Sequence, residues 1–126
     1  MISGRFGENG ELFFEIELIA SDGECFPVEV LLDTGFTTGF LAINFQDVDA
    51  LEWHLIRSKI EMTTARGNEF FDLYEGKVVV DSQEWIVPIF VGDELPEILM
   101  GSQWLDRMEL VVNKLRGILT LEILQG

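Results

Sequence analysis

Basic residues are scarce in this chain. Eight lysines and arginines stand against 23 aspartates and glutamates in 126 residues, a formal charge of −15. Like charge repels a phosphate backbone, so nucleic acid is excluded as the expected partner, and an anionic membrane surface is disfavoured on the same ground. Acidity of this kind serves solubility. It would also suit basic peptides, although no single residue in the sequence carries that preference. Cysteine is nearly absent. Cys25 alone leaves no intrachain disulfide and fits a reducing, cytoplasmic setting. At the head of an apolar run, Cys25 is expected to be buried and inert. Histidine is as scarce. With His54 the only one, a zinc site or a cysteine–histidine nucleophile pair has little to build on, so neither metal nor cofactor is expected. No apolar run approaches the roughly 20 residues that cross a bilayer, and Met1–Asn9 lacks the apolar stretch of a secretion signal.

What is present is apolar alternation. Apolar residues make up 48% of the chain, which excludes disorder and suits one domain over residues 1–126. Asn9-Gly10 is a hairpin signal and is expected to join strands at Ile2–Gly7 and Leu12–Ala20. In the second of these, Phe14, Ile16 and Leu18 alternate with Glu15 and Glu17. Further strands are expected at Phe26–Leu32, Gly39–Phe45, Lys59–Ala65, Phe70–Val80, Glu84–Val91 and Ile98–Met100. A closing hairpin runs from Glu109–Asn113 to Gly117–Leu124. Val48, Leu51 and Leu55 at helical spacing predict a short helix over Gln46–Leu55, which would carry His54 at or near the surface. Ser102 is placed to cap a second helix over Gln103–Met108. Many short strands with two short helices predict an all-β, small closed barrel. Trp53, Trp85 and Trp104 read as core packing.

The residues that suggest chemistry are Leu31-Leu32-Asp33-Thr34-Gly35. Two aliphatics set a strand in the core, and an acid then appears where the strand stops. Such an acid is costly to bury unless it is hydrogen-bonded or functionally placed. By itself the triplet also describes an ordinary strand-ending turn. Later in the chain Ile98-Leu99-Met100-Gly101 repeats the pattern of aliphatics followed by glycine, again ahead of a short helix. The two segments read as halves of a pseudo-repeat, each bringing a glycine to one crowded centre.

With both motifs in this order, the chain resembles the retropepsin-like aspartic proteases. The likeness is specific at Leu31–Gly35 and Leu99–Gly101 and loose between them. Phe36-Thr37-Thr38-Gly39 is similar to a small prokaryotic subgroup, whereas viral members usually carry a small residue at the place of Phe36. The resemblance implies a retropepsin-like barrel that forms one half of a homodimeric peptide hydrolase. It implies Asp33 as the catalytic acid, supported by Thr34, Gly35 and Gly101. It also implies pairing between subunits through terminal strands at Ile2–Phe6 and Ile118–Leu124. Phe36 is expected to narrow the substrate pocket. A hairpin over Met62–Phe71, with Arg66, Gly67 and Asn68 at its tip, is expected to form a flap. Two other readings stand beside this one. One is an inactive dimerising or peptide-binding module of the same fold. The other is an unrelated barrel, such as a glycoside hydrolase drawing a second acid from Asp47, Asp49, Asp72 or Asp106.

Overall fold

The computed structural model describes residues 1–64 and 67–124. β1 (Ile2–Ser3) and β2 (Arg5–Phe6) lead through a tight turn into β3 (Leu12–Ile19). Gly10 takes the φ of 83° that this turn requires. β3 buries Phe14, Ile16 and Leu18 and exposes Glu15 and Glu17, as alternation predicts. β4 (Cys25–Leu32) returns antiparallel, with Val28 opposite Ile16. β5 (Leu41–Asn44) runs into a short helix, α1 (Phe45–Val48), and a 3-10 turn over Asp49–Leu51. A meander follows, made of β6 (His54–Thr64), β7 (Gly67–Val80) and β8 (Gln83–Gly92). β9 (Ile98–Met100), a 3-10 turn over Ser102–Asp106, and the hairpin of β10 (Met108–Asn113) and β11 (Ile118–Ile123) complete the described elements.

Six strands close a ring. They run β3, β4, β9, β5, β8, β7, and β7 returns to β3 where Val78 faces Leu18. Closure leaves no unpaired strand edge within the ring, and inward side chains fill the interior. Phe14, Ile16, Val30, Leu41, Ile43 and Ile89 belong to that interior, each with 3% or less of its surface exposed. A second sheet, ordered β1-β11-β10, packs Met108, Leu119 and Leu121 onto the same core.

Three local expectations need correction. The predicted helix over Gln46–Leu55 stops early because Glu52 takes a left-handed φ of 53°. Trp53 then turns inward and donates its indole N–H to Ile19 O at 2.7 Å, and His54 opens β6 as an exposed strand residue. The second helix is a 3-10 turn whose N-cap is Gly101 and which has no side-chain cap. Cys25 is exposed. Its thiol is pushed up by partial desolvation and then by the Glu17 and Glu84 carboxylates, which disfavours the reactive thiolate. Of the terminal strands, β11 is paired on both sides inside the chain, with β1 at Leu121–Ile2 and with β10 at Leu121–Leu110. The outer edges of β1 and β10 in this three-stranded sheet have no strand partner among the described residues. Trp53 and Trp104 are core residues as expected, and Trp85 is half-buried against the same core. Trp104 is fully buried, donates to Phe40 O at 2.9 Å, and lies edge-on to Trp85 at 5.5 Å.

Candidate active site

β4 and β5 follow one another in sequence but are not neighbours in the sheet. β9 is inserted between them, parallel to β4 and antiparallel to β5. The loop from Asp33 to Phe40 must therefore arch over the end of β9, and the chain leaving β9 at Gly101 must cross beneath that arch. Four backbone hydrogen bonds fasten the crossing. Asp33 N–H donates to Met100 O at 2.9 Å, Phe36 N–H to Asp33 O at 3.1 Å, Gly101 N–H to Phe40 O at 2.8 Å, and Ser102 N–H to Phe36 O at 2.9 Å. A Cβ on Gly101 would fall on the carbonyl of Gly39, and one on Gly39 would fall on the Phe36 ring. Glycine at both positions is a packing requirement of the crossing. The two aliphatic-then-glycine segments thus meet at one crowded centre.

Asp33 emerges half-buried from this centre. Its Oδ1 accepts the N–H of Gly35 at 2.9 Å. No other side-chain partner of its carboxyl occurs among the described residues. Thr34 is exposed. Gly35 is exposed and sits close enough to Asp33 that a Cβ there would lie 3.2 Å from Oδ1.

Beside Asp33 opens a cavity of about 280 Å³. Its floor follows from alternation. On β4, β9, β5 and β8 the residues facing away from the barrel interior include Leu31, Leu99, Ala42 and Phe90, which pair in register as one row across four strands. All four line the cavity, and so does Asp33, two residues beyond Leu31 on the same face. Phe36 forms a further wall, edge-on to Phe90 at 5.8 Å, and Phe71 meets Phe90 at 6.1 Å. Phe36 therefore occupies space beside the acid.

The β6–β7 hairpin supplies the opposite side through Met62, Thr63 and Glu69. β6 slips register between Leu55 and Arg57 and again between Arg57 and Ile60, and such bulges bend a strand. Lys59 N–H donates to Asp72 Oδ1 at 3.1 Å at this bend. Near the tip, the Thr63 hydroxyl donates to Asn68 Oδ1 at 3.0 Å. Gly67 and Asn68 are exposed and do not line the cavity. Arg66 lies outside the described residues. The sequence reading did not single out Leu31, Ala42, Phe90, Leu95, Glu97 or Leu99 as lining residues. The period-2 alternation that places Asp33 would have found the first three and Leu99, but nothing local marks Leu95 and Glu97. Asp47, Asp49, Asp72 and Asp106 do not line the cavity. Among the described residues no cluster of histidine, cysteine and carboxylate side chains could hold a metal ion.

A closed β-barrel with an Asp-Thr-Gly turn arched over an inserted strand is the retropepsin-like fold. Comparison with solved structures agrees. The chain is similar to a retropepsin-like aspartic protease from Rickettsia conorii, with 18% identity, a TM-score of 0.61, and coverage of 98% of this chain and 89% of that one. It is also similar to the EIAV protease complexed with an inhibitor, with 16% identity, a TM-score of 0.61, and coverage of 80% of this chain and 90% of that one. No family model and no curated protein matches the sequence.

Proposed function

We propose that this chain is a single domain forming one half of a homodimeric aspartic endopeptidase, with Asp33 of each subunit contributing to a shared active site. The observation that carries this reading is the placement of Asp33. The acid stands at the mouth of an apolar cavity, on a turn locked by the Gly39–Gly101 crossing, with one carboxyl oxygen engaged by backbone and the other left without a protein partner among the described residues.

Peptide hydrolysis by this chemistry needs two carboxyls around one water. Two such groups a few ångströms apart cannot both ionise cheaply, so they share one proton and titrate as a pair. The ionised member takes a proton from water as its oxygen attacks the scissile carbonyl carbon. The protonated member gives its proton to the carbonyl oxygen. Collapse of the tetrahedral intermediate breaks the C–N bond, and the leaving nitrogen takes up a proton. One chain offers a single Asp-Thr-Gly, so a two-fold axis beside Asp33 supplies the second carboxyl. The surface that meets its copy includes the Asp33 face, where Thr34, Gly35, Thr37 and Thr38 are exposed, and the open edges of β1 and β10 are available to the same partner. Thr34, with no hydrogen bond among the described residues, is free to bond across that axis. The hairpin carrying Met62 and Glu69 acts as the flap, and Phe36 limits the pocket.

No described helix is long and apolar enough to cross a membrane. A reducing cytoplasm suits a chain whose one cysteine has no partner. The test is digestion of a mixed peptide library across acidic to neutral pH. Wild type is expected to cut, and Asp33→Asn is expected to lose about 10³-fold or more in rate while keeping its melting temperature. Cleavage by Asp33→Asn at the wild-type rate would refute the assignment. Peptide binding with no cleavage by wild type would favour the inactive module.

A further inference from the structure

The cleft has a charge sign, and one residue that sets it sits on a loop anchored from outside the catalytic turn. The loop of residues 93–97, between β8 and β9, forms one wall. Leu95 is buried and Pro96 and Glu97 are exposed, and all three border the cavity. Asn44, at the end of β5, grips this loop from behind. Its Nδ2 donates to Leu95 O at 2.8 Å, and its Oδ1 accepts Leu95 N–H at 2.7 Å. This pairing does for the loop what a ladder does for a strand, in a segment where Glu94 holds a φ of 57°. The backbone that leads to Glu97 is thereby anchored two residues upstream, at the rim of the cavity.

Glu97 is held by no direct partner, neither hydrogen bond nor ion pair, among the described residues. Arg5 is near enough to feel its charge, but Arg5 is already committed to Glu29 through two bonds of 2.7 and 2.6 Å. Glu97 therefore feels Arg5 only through space, and its carboxylate oxygens stay open to a ligand cation. Asp33 and Glu97 border the cavity as carboxylates, and no cationic side chain lines it among the described residues. The floor behind them is apolar. The whole chain, at −15, adds a field of the same sign, which salt screens.

We infer that the cleft takes basic peptides, in which a large apolar side chain is flanked by lysine or arginine. Glu97 reads the positive charge, and Asn44 is the positioning residue that anchors the loop carrying Leu95 and Glu97. The apolar side chain packs on Leu99, Ala42 and Phe90, and the flanking cation pairs with Glu97 at the rim. This inference rests on the reading of the Asp33 cavity as a peptide cleft and adds the substrate class.

The experiment uses two fluorescent peptides that differ only in lysine or glutamate beside a central phenylalanine. Binding is measured on Asp33→Asn, where nothing is cut, at about pH 6, where an ordinary carboxylate is ionised. Cleavage is measured on wild type. The lysine peptide is expected to bind about fivefold more tightly, and adding Glu97→Lys is expected to lower the lysine-to-glutamate ratio about tenfold. In wild type, Asn44→Ala is expected to move the ratio towards one and to raise KM more than it lowers kcat, which a loss of general stability would not do. Equal affinities, a ratio unchanged by Glu97→Lys, or no binding of either peptide would overturn the inference. The two readings fail separately. Charge-selective binding without cleavage removes the protease reading alone, and cleavage without charge selection removes this inference alone.

Discussion

Two rows of side chains, one residue apart on the same four strands, have opposite fates. The row Leu32, Met100, Leu41 and Ile89 pairs across β4, β9, β5 and β8 and is buried in the barrel, with exposures of 7, 0, 0 and 0%. The neighbouring row Leu31, Leu99, Ala42 and Phe90 crosses the same strands in the same register, but it floors a cavity of about 280 Å³. The inner row meets apolar partners from the far side of the barrel. The outer row meets a bent hairpin, a loop held by Asn44, and open space. Alternation thus writes the stabilising core and the candidate site into one stretch of sheet. Asp33 lies where the outer row reaches the strand crossing.

The hardest way to break this arrangement is at the crossing that both rows depend on. Gly101→Ala places a methyl group on the Gly39 carbonyl and is expected to cost about 3 kcal/mol or more in denaturant unfolding. A loss below about 1 kcal/mol would mean that the arch yields. The comparison is sharpened by the same truncation on each row. Leu41→Ala is expected to cost about 2–5 kcal/mol. Leu99→Ala, on the half-covered face, is expected to cost about 1 kcal/mol and to shift which peptides bind. Equal costs would erase the distinction between the rows.

A smaller effect lies away from both rows. Asp81 accepts from the Met1 amino group and from Ile123 N–H at 3.0 Å, and these bonds hold its carboxyl below the usual range. A carboxyl depressed in the folded state stabilises fully above its unfolded value, about 3.9, and that contribution fades as pH falls through the lower folded value. Asp81→Asn is therefore expected to cost about 1–2 kcal/mol near neutral pH, with the gap to wild type closing below about pH 4. A gap that does not change with pH would show that the charge plays no part.

Strands were legible because alternation is local. Glu15 and Glu17 between buried apolar neighbours leave one orientation for β3. The Asp-Thr-Gly turn and the later glycine were legible for the same reason. Insertion of β9 between β4 and β5 was not, because three residues carry no record of which strands flank them. The helix over Gln46–Leu55 was misread because Val48, Leu51 and Leu55 fit helical spacing. The chain turns at Glu52 instead, where Trp53 makes a long-range bond from its indole to Ile19 O that local spacing does not announce. The Asn44 grip on Leu95 joins residues 51 positions apart, and no sequence motif announces it. The proposal of a basic-peptide preference has no single residue to rest on in the sequence alone; the cavity lining supplies Glu97.

The central claim is that two chains share one site, and subunit mixing tests it most directly. A fixed amount of wild type is equilibrated with increasing Asp33→Asn, and peptide cleavage is followed. A shared site predicts that activity per wild-type chain falls as the variant captures wild-type subunits, approaching zero at large excess. Activity that stays constant whatever the excess would mean that one chain catalyses alone, and the paired-Asp33 account would be wrong.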